Sequence, residues 1–163
     1  MQNIPGQQTA VDRIQTVVRE PLNVMTFNIR NDTWFDFFHS WNYRKKNVIT
    51  QLLSRPSHII GIQEAFPNQM KDLIKHLTNN AYVGVGREGN DKSEHTPIFY
   101  DPQRLEAVES ETFWLSESPG TAGQKGWDAR IPRIVSWAKF LDRSTRRSFL
   151  AFNTHFANNQ RDV

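Results

Sequence analysis

Residues 23–30, NVMTFNIR, decide how the rest of the chain is read. Leu22, Val24, Met25 and Phe27 are apolar and Thr26 is β-branched, the make-up of a buried strand. The stretch ends on Asn28 and Arg30, with Asn31 and Asp32 behind them. A strand that is apolar along its length and polar at its carboxyl end is how open α/β sheets build sites. Downstream, residues 41–53 bring Trp41, Lys45, Val48, Ile49, Leu52 and Leu53 to one side of an amphipathic helix. Ser40 is placed to cap its start, and Pro56 stops it. HIIGIQ at 58–63 is a short continuous apolar run, which predicts a central strand. Strand, helix and strand in that order imply a right-handed parallel crossover. The end of the second strand, Gln63 and Glu64, is therefore expected at the same sheet edge as Asn28.

Pro67 opens a second predicted helix, with Met70, Leu73, Ile74 and Leu77 at helical spacing. Further strands are predicted at 82–85, 96–100, 105–115, 134–141 and 148–155, with 105–115 read as the antiparallel neighbour of 96–100. The stretch 116–130 carries Pro119, Gly120, Gly123 and Gly126 and little apolar content, so it reads as a long loop. Loops of that length in compact domains are usually functional or mobile. Residues 142–147, DRSTRR, form a turn that puts Arg143, Arg146 and Arg147 at a hairpin tip, not in a nucleic-acid patch. Residues 1–20 are polar and irregular and read as a lead-in arm, and 21–163 as one domain.

Composition bounds the function. The 163 residues carry 20 basic and 17 acidic side chains, a net charge of +3. That balance suits an anionic substrate and is too weak by itself to argue nucleic acid. The absence of cysteine excludes disulfides and thiolate metal sites. No apolar run approaches the roughly 20 residues of a membrane span, and the first residues hold no apolar signal core. A cytoplasmic protein is the default expectation, with secretion after signal removal left open.

Three predicted strand ends carry an amide, a carboxylate and an imidazole: Asn28, Glu64 and His155. Each has an ordinary alternative. Asn28 suits a turn cap, Glu64 a helix-start acid near Pro67, and His155 a surface histidine. His39, His58 and His76 share no spacing and read as structural or exposed. His95 adjoins Glu94 and either lines the same site or, as strand alternation favours, points away from it. Trp34 to Trp41, with Asp32 and Asp36, form either a substrate-facing wall or aromatics packed under a loop.

The local wording adds to this. TFNIR at 26–30, IQE at 62–64, EHTPIFY at 94–100, TFWLSESP at 112–119, IPRIVSWAKF at 131–140 and FNTHF at 152–156 occur in this order. Together they resemble the endonuclease/exonuclease/phosphatase superfamily of deoxyribonuclease-like, metal-dependent phosphoesterases, over about residues 22–155. The resemblance implies an α/β fold, a four-layer sandwich of two mostly antiparallel mixed sheets flanked by helices, with only part of it expected in this chain. It implies hydrolysis of a phosphate ester with Mg²⁺, or Mn²⁺ in its place. Matched position by position, Glu64 corresponds to the metal-binding glutamate. Asn28 corresponds to the asparagine that orders the metal and phosphate. His155 corresponds to the histidine on the scissile phosphate. Glu94 resembles the carboxylate that orients that histidine, and Arg133 resembles a phosphate-contacting arginine, a solvated charge at a strand start being its alternative. The implied nucleophile is water. Single-carboxylate ligation suits Mg²⁺, which keeps several waters.

The sequence also departs from the family. The later half of such domains supplies a glycine–Asp–x–Asn and a terminal Asp–His, and neither occurs here; the only acid after His155 is Asp162. The C-terminal half of the domain is accordingly expected to be missing. A metal-dependent phosphodiesterase, nuclease or phosphatase is the leading expectation, and a catalytically inactive binding or regulatory remnant the alternative. The implied partners are a phosphate-ester substrate, whether nucleic acid, phospholipid or sugar phosphate, and a second copy if exposed strand edges self-associate. Substrate choice is expected to lie in the loops at 31–41 and 116–130, whose Trp and Phe hint at a flat or apolar group beside the phosphate.

Overall fold

The computed structural model describes residues 21–127 and 129–157, without the side chain of Trp34. The predicted arm at 1–20 and Asp162 lie outside the described residues. The element order is β1 (Val24–Asn28), a 3-10 segment (Trp34–His39), α1 (Trp41–Ser54), β2 (Ile59–Gln63), α2 (Pro67–His76), β3 (Ala81–Val83), β4 (Ile98–Tyr100), β5 (Leu105–Trp114), β6 (Ile134–Asp142) and β7 (Ser148–Thr154).

Two sheets result, one ordered β1-β2-β4-β3 and the other β5-β6-β7. β1 and β2 pair in parallel, Val24 opposite Ile59 and Asn28 opposite Gln63, as the intervening helix requires. All other pairings are antiparallel. β2 is buried along its whole length, in keeping with its unbroken apolar run.

Two apolar layers hold this together. Trp41, Val48, Ile49 and Leu52 of α1 and Met70 and Leu73 of α2 pack with Ile60, Ile62 and Phe99 on one face of the first sheet. Ile59 and Ile98 on its other face meet Leu105, Ala138 and Phe140 of the second sheet. Aromatic pairs extend this inter-sheet layer, with Tyr100 and Phe140 ring centroids 5.0 Å apart and Phe140 and Phe149 5.8 Å apart. The architecture is the mixed α/β, two-sheet sandwich expected from the sequence. Among the described residues its helices cover only the first sheet, and no helix there is long and apolar enough to cross a membrane.

Three local readings are corrected. β5 pairs with β6 in the second sheet and not with β4, because both edges of β4 are already taken by β2 and β3. β1 is half-exposed and not buried, because it borders the first sheet and pairs on one side only. Ser40 stands at the start of α1, but its side chain makes no cap bond; Asp32 Oδ1 accepts the Trp41 N–H instead at 2.9 Å.

Candidate active site

β1 and β2 run parallel, so their carboxyl ends emerge together. Asn28 Nδ2 donates to Glu64 Oε1 at 2.9 Å. The backbone N–H of Asn31 donates to Glu64 Oε2 at 2.8 Å, and Asn28 Oδ1 accepts the Arg30 N–H at 2.8 Å. Both Glu64 and Arg30 adopt left-handed backbone conformations, with φ of 64° and 57°. Such conformations persist in non-glycine residues where surrounding contacts impose them. Here the loop after β1 is gripped by Arg44, whose guanidinium donates to the carbonyls of Ile29 (2.6 Å), Arg30 (3.0 Å) and Asn31 (3.3 Å). Gln69, fully buried on α2, donates to the Arg30 carbonyl at 2.9 Å.

The second sheet delivers the imidazole. Inter-sheet packing sets β7 against β2, and His155 follows the end of β7 with Nε2 3.8 Å from Glu64 Oε1. Its Nδ1 lies 3.9 Å from Glu94 Oε1, and this buried nitrogen makes no hydrogen bond. Glu94 is itself buried and held by Arg87, whose Nη1 donates to Oε2 at 2.8 Å. His155 thus sits between two carboxylates. Burial works against the ionised form of Glu64, but the Asn28 amide, the Asn31 N–H and the positive charges of His155 and Arg133 outweigh it. The carboxyl group is held below its usual range. Arg133 is buried just ahead of β6, close enough for its charge to act on Glu64.

All five residues singled out from the sequence, Asn28, Glu64, Glu94, Arg133 and His155, therefore meet in one region. The other candidates make contacts of their own. His95 is buried away from it, among Pro67, Met70 and Asp91. His58 Nδ1 accepts the Asn23 N–H at 2.9 Å. Of the aromatic loop, Trp41 is core and hydrogen-bonds Asp72, whereas Phe35, Phe37 and Phe38 are exposed. Asp36 pairs with Arg30 at 2.7 Å. Sequence reasoning missed Arg87, Arg44 and the Asn31 backbone donor, which carry no local pattern.

The donor set bears on the metal. Among the described residues no group of three His, Cys, Asp or Glu side chains is arranged to hold an ion. What exists is one carboxylate, held below its usual range, that takes the Asn28 Nδ2–H, while the Asn28 oxygen is turned to the Arg30 N–H and keeps a second lone pair. This fits a hard cation that retains most of its water and takes one or two protein oxygens, as Mg²⁺ does. It does not fit a cation that demands a complete protein cage.

Fold and site define an α/β sandwich with a carboxylate–amide–imidazole cluster where its two sheets meet. Proteins of known structure share the fold. An endonuclease/exonuclease/phosphatase protein of Bacteroides vulgatus is 43% identical, with a TM-score of 0.78, covering 81% of this chain and 51% of its own. A mannosyl-6-phosphatase of Bacteroides thetaiotaomicron is 38% identical, with a TM-score of 0.81, covering 86% of this chain and 54% of its own. An uncharacterized protein of Acanthamoeba polyphaga mimivirus is 27% identical over 132 residues, 76% of this chain and 49% of that one. No protein-family model matches the sequence. The chain belongs to the endonuclease/exonuclease/phosphatase superfamily, and it spans about half the length of these relatives.

Proposed function

We propose that the chain carries the metal and phosphate side of a divalent-metal-dependent phosphoric ester hydrolase. The observation that carries this reading is the convergence on Glu64, whose one carboxylate is met by Asn28 at 2.9 Å and by His155 at 3.8 Å from separate sheets. Glu64 would hold Mg²⁺, or Mn²⁺ in its place, with Asn28 as the second residue at the ion. When bound, such an ion neutralises charge on phosphoryl oxygens.

The chain's own residues supply the rest. Arg133 offers a permanently charged planar donor for a phosphate oxygen. His155, in its protonated form, donates from Nε2 to a second oxygen, with the Glu94 carboxylate 3.9 Å away on the Nδ1 side of the ring. Arg87 keeps Glu94 in place. Asn28 and the Asn31 N–H keep Glu64 ionised and aimed. A sugar phosphomonoester is the first substrate class to examine, because the relative at 38% identity is a mannosyl-6-phosphatase.

The test is Mg²⁺-dependent release of phosphate from a hexose 6-phosphate and of alcohol from a generic phosphodiester. It is run on the chain and on Glu64→Gln and His155→Ala. Hydrolysis lost in both variants supports the reading. Hydrolysis unaffected by either overturns it. Phosphate binding without hydrolysis in the parent chain makes it a binding domain on the same scaffold, since fold alone does not fix function.

A further inference from the structure

Beside the Glu64–His155 cluster lies a cavity of about 490 Å³ lined by Leu115, Gly126, Trp127, Ala129, Arg133, Phe156 and Ala157. Two of its walls tie it to the candidate site. Arg133 lines it and acts on Glu64, and Phe156 directly follows His155. The remaining lining is almost entirely apolar, and Trp127 stands 76% exposed. An indole left this open, on a residue in the left-handed region with φ of 48°, contributes little to the fold's own core. Gly126 is required here because a Cβ would run into the carbonyl of Leu115, so the loop is pressed against the end of β5 and holds Trp127 out over the opening.

An arginine at one end and an exposed indole along an apolar wall match a molecule that is anionic at one end and ring-faced at the other. Ring faces stack on aromatic side chains, and acyclic chains gain less from a flat partner. We propose that this cavity is the subsite for the alcohol part of the phosphate ester and that Trp127 selects a group presenting a flat or ring-shaped face. The inference rests on the phosphoesterase reading and adds the substrate class to it. Two sources share this chemistry, the C–H face of a sugar ring and the face of an aromatic base.

The experiment is calorimetric titration, in Mg²⁺ buffer, of inorganic phosphate, butyl phosphate, a hexose 6-phosphate and a nucleoside 5′-monophosphate. The proteins are the parent chain, Trp127→Ala and Trp127→Phe. Because Trp127 is exposed, both variants are expected to fold, which circular dichroism checks. At least one ring ester should bind roughly tenfold tighter than butyl phosphate, and Trp127→Ala should abolish that margin while leaving inorganic phosphate unchanged. Trp127→Phe should keep most of the margin. Which ring ester shows it separates sugar from base. Equal binding of ring and acyclic esters, or a margin that survives Trp127→Ala, overturns the subsite while leaving the phosphate reading intact. Failure of every ligand, inorganic phosphate included, overturns both.

Discussion

Gln63 Nε2 donates to Asn153 Oδ1 at 2.6 Å, a buried side-chain bond that crosses from the first sheet to the second. Asn153 returns two bonds, from Nδ2 to the carbonyls of Ile62 (2.8 Å) and Pro97 (2.9 Å). Gln63 immediately precedes Glu64, and Asn153 lies two residues before His155. The clasp therefore fixes the register between the strand that carries the carboxylate and the strand that carries the imidazole. It leaves room for nothing larger than glycine at position 61, where a Cβ would lie 2.9 Å from Asn153 Oδ1.

Asn153→Ala should accordingly destabilise the chain by about 2–4 kcal/mol, since it removes three buried bonds to Gln63, Ile62 and Pro97 on the first-sheet side. Gly61→Ala should cost about 1–3 kcal/mol by overpacking the same spot. Urea unfolding measures both. An unchanged midpoint for Asn153→Ala would show that the sheets are aligned by their apolar layer alone.

Glu64 is the second case, and there the direction of the shift decides the outcome. Its carboxyl group is held below its usual range in the folded chain. A depressed folded value means stabilisation that is fully present above the unfolded value of about 4.3 and is lost as pH falls below it. Glu64→Gln should therefore be less stable than the parent at neutral pH, with the gap narrowing in acid. Unfolding midpoints at pH 7, 5 and 3 read this directly. A Gln variant that is more stable at pH 7 would contradict it.

The strand–helix–strand opening was legible because local patterns specify it. An unbroken apolar run makes β2 central, and a parallel crossover then brings Asn28 and Glu64 to one edge whatever follows. The partner of β5 was not legible. Its alternation is poor, with the middle of the strand exposed and a register shift between Ala107 and Glu109, so periodicity does not say which sheet it joins. Pairing of that kind is settled by which edges remain open, a property of the assembled sheet. Arg87 and Arg44 were invisible for a related reason: an arginine in a turn or on a helix looks the same whether it faces solvent or grips a buried carboxylate or a row of carbonyls.

A structural ion pair supplies a control remote from the site. Arg104 Nε and Nη2 reach the two oxygens of Asp142 at 2.8 and 3.1 Å, both residues being buried. The guanidinium, above all, together with the Thr145 side chain and the N–H groups of Ser144 and Thr145, drives the Asp142 carboxyl far below the ordinary range despite burial. Asp142→Asn removes the charge from the carboxylate that takes two bonds from Arg104 and should cost about 1.5–3 kcal/mol at neutral pH. The depressed value again sets the sign: the advantage of the parent is complete above about pH 4 and shrinks as pH falls below it. Hydrolysis should be unaffected at temperatures where the variant stays folded. A stability gap that widens in acid would rule out this account.

Arg44 tests whether the loop after β1 is organised for the site or for stability. Its guanidinium spans the carbonyls of Ile29, Arg30 and Asn31 and also reaches that of His39, so one side chain from α1 sets the path of the segment that presents the Asn31 N–H to Glu64. A lysine can approach one or two of these carbonyls and cannot cover the row, because an ammonium is a point donor and a guanidinium a planar fork. Arg44→Lys should thus lower stability by only about 1 kcal/mol while disturbing the loop. The Asn31 amide resonance should shift, and turnover should fall more than substrate affinity, since Arg44 touches the carboxylate's support and not the phosphate. Arg44→Ala should extend both effects. If the Asn31 resonance stays in place in both variants, the left-handed turn at Arg30 is held by Gln69 and by the Arg30–Asn28 bond without help from α1.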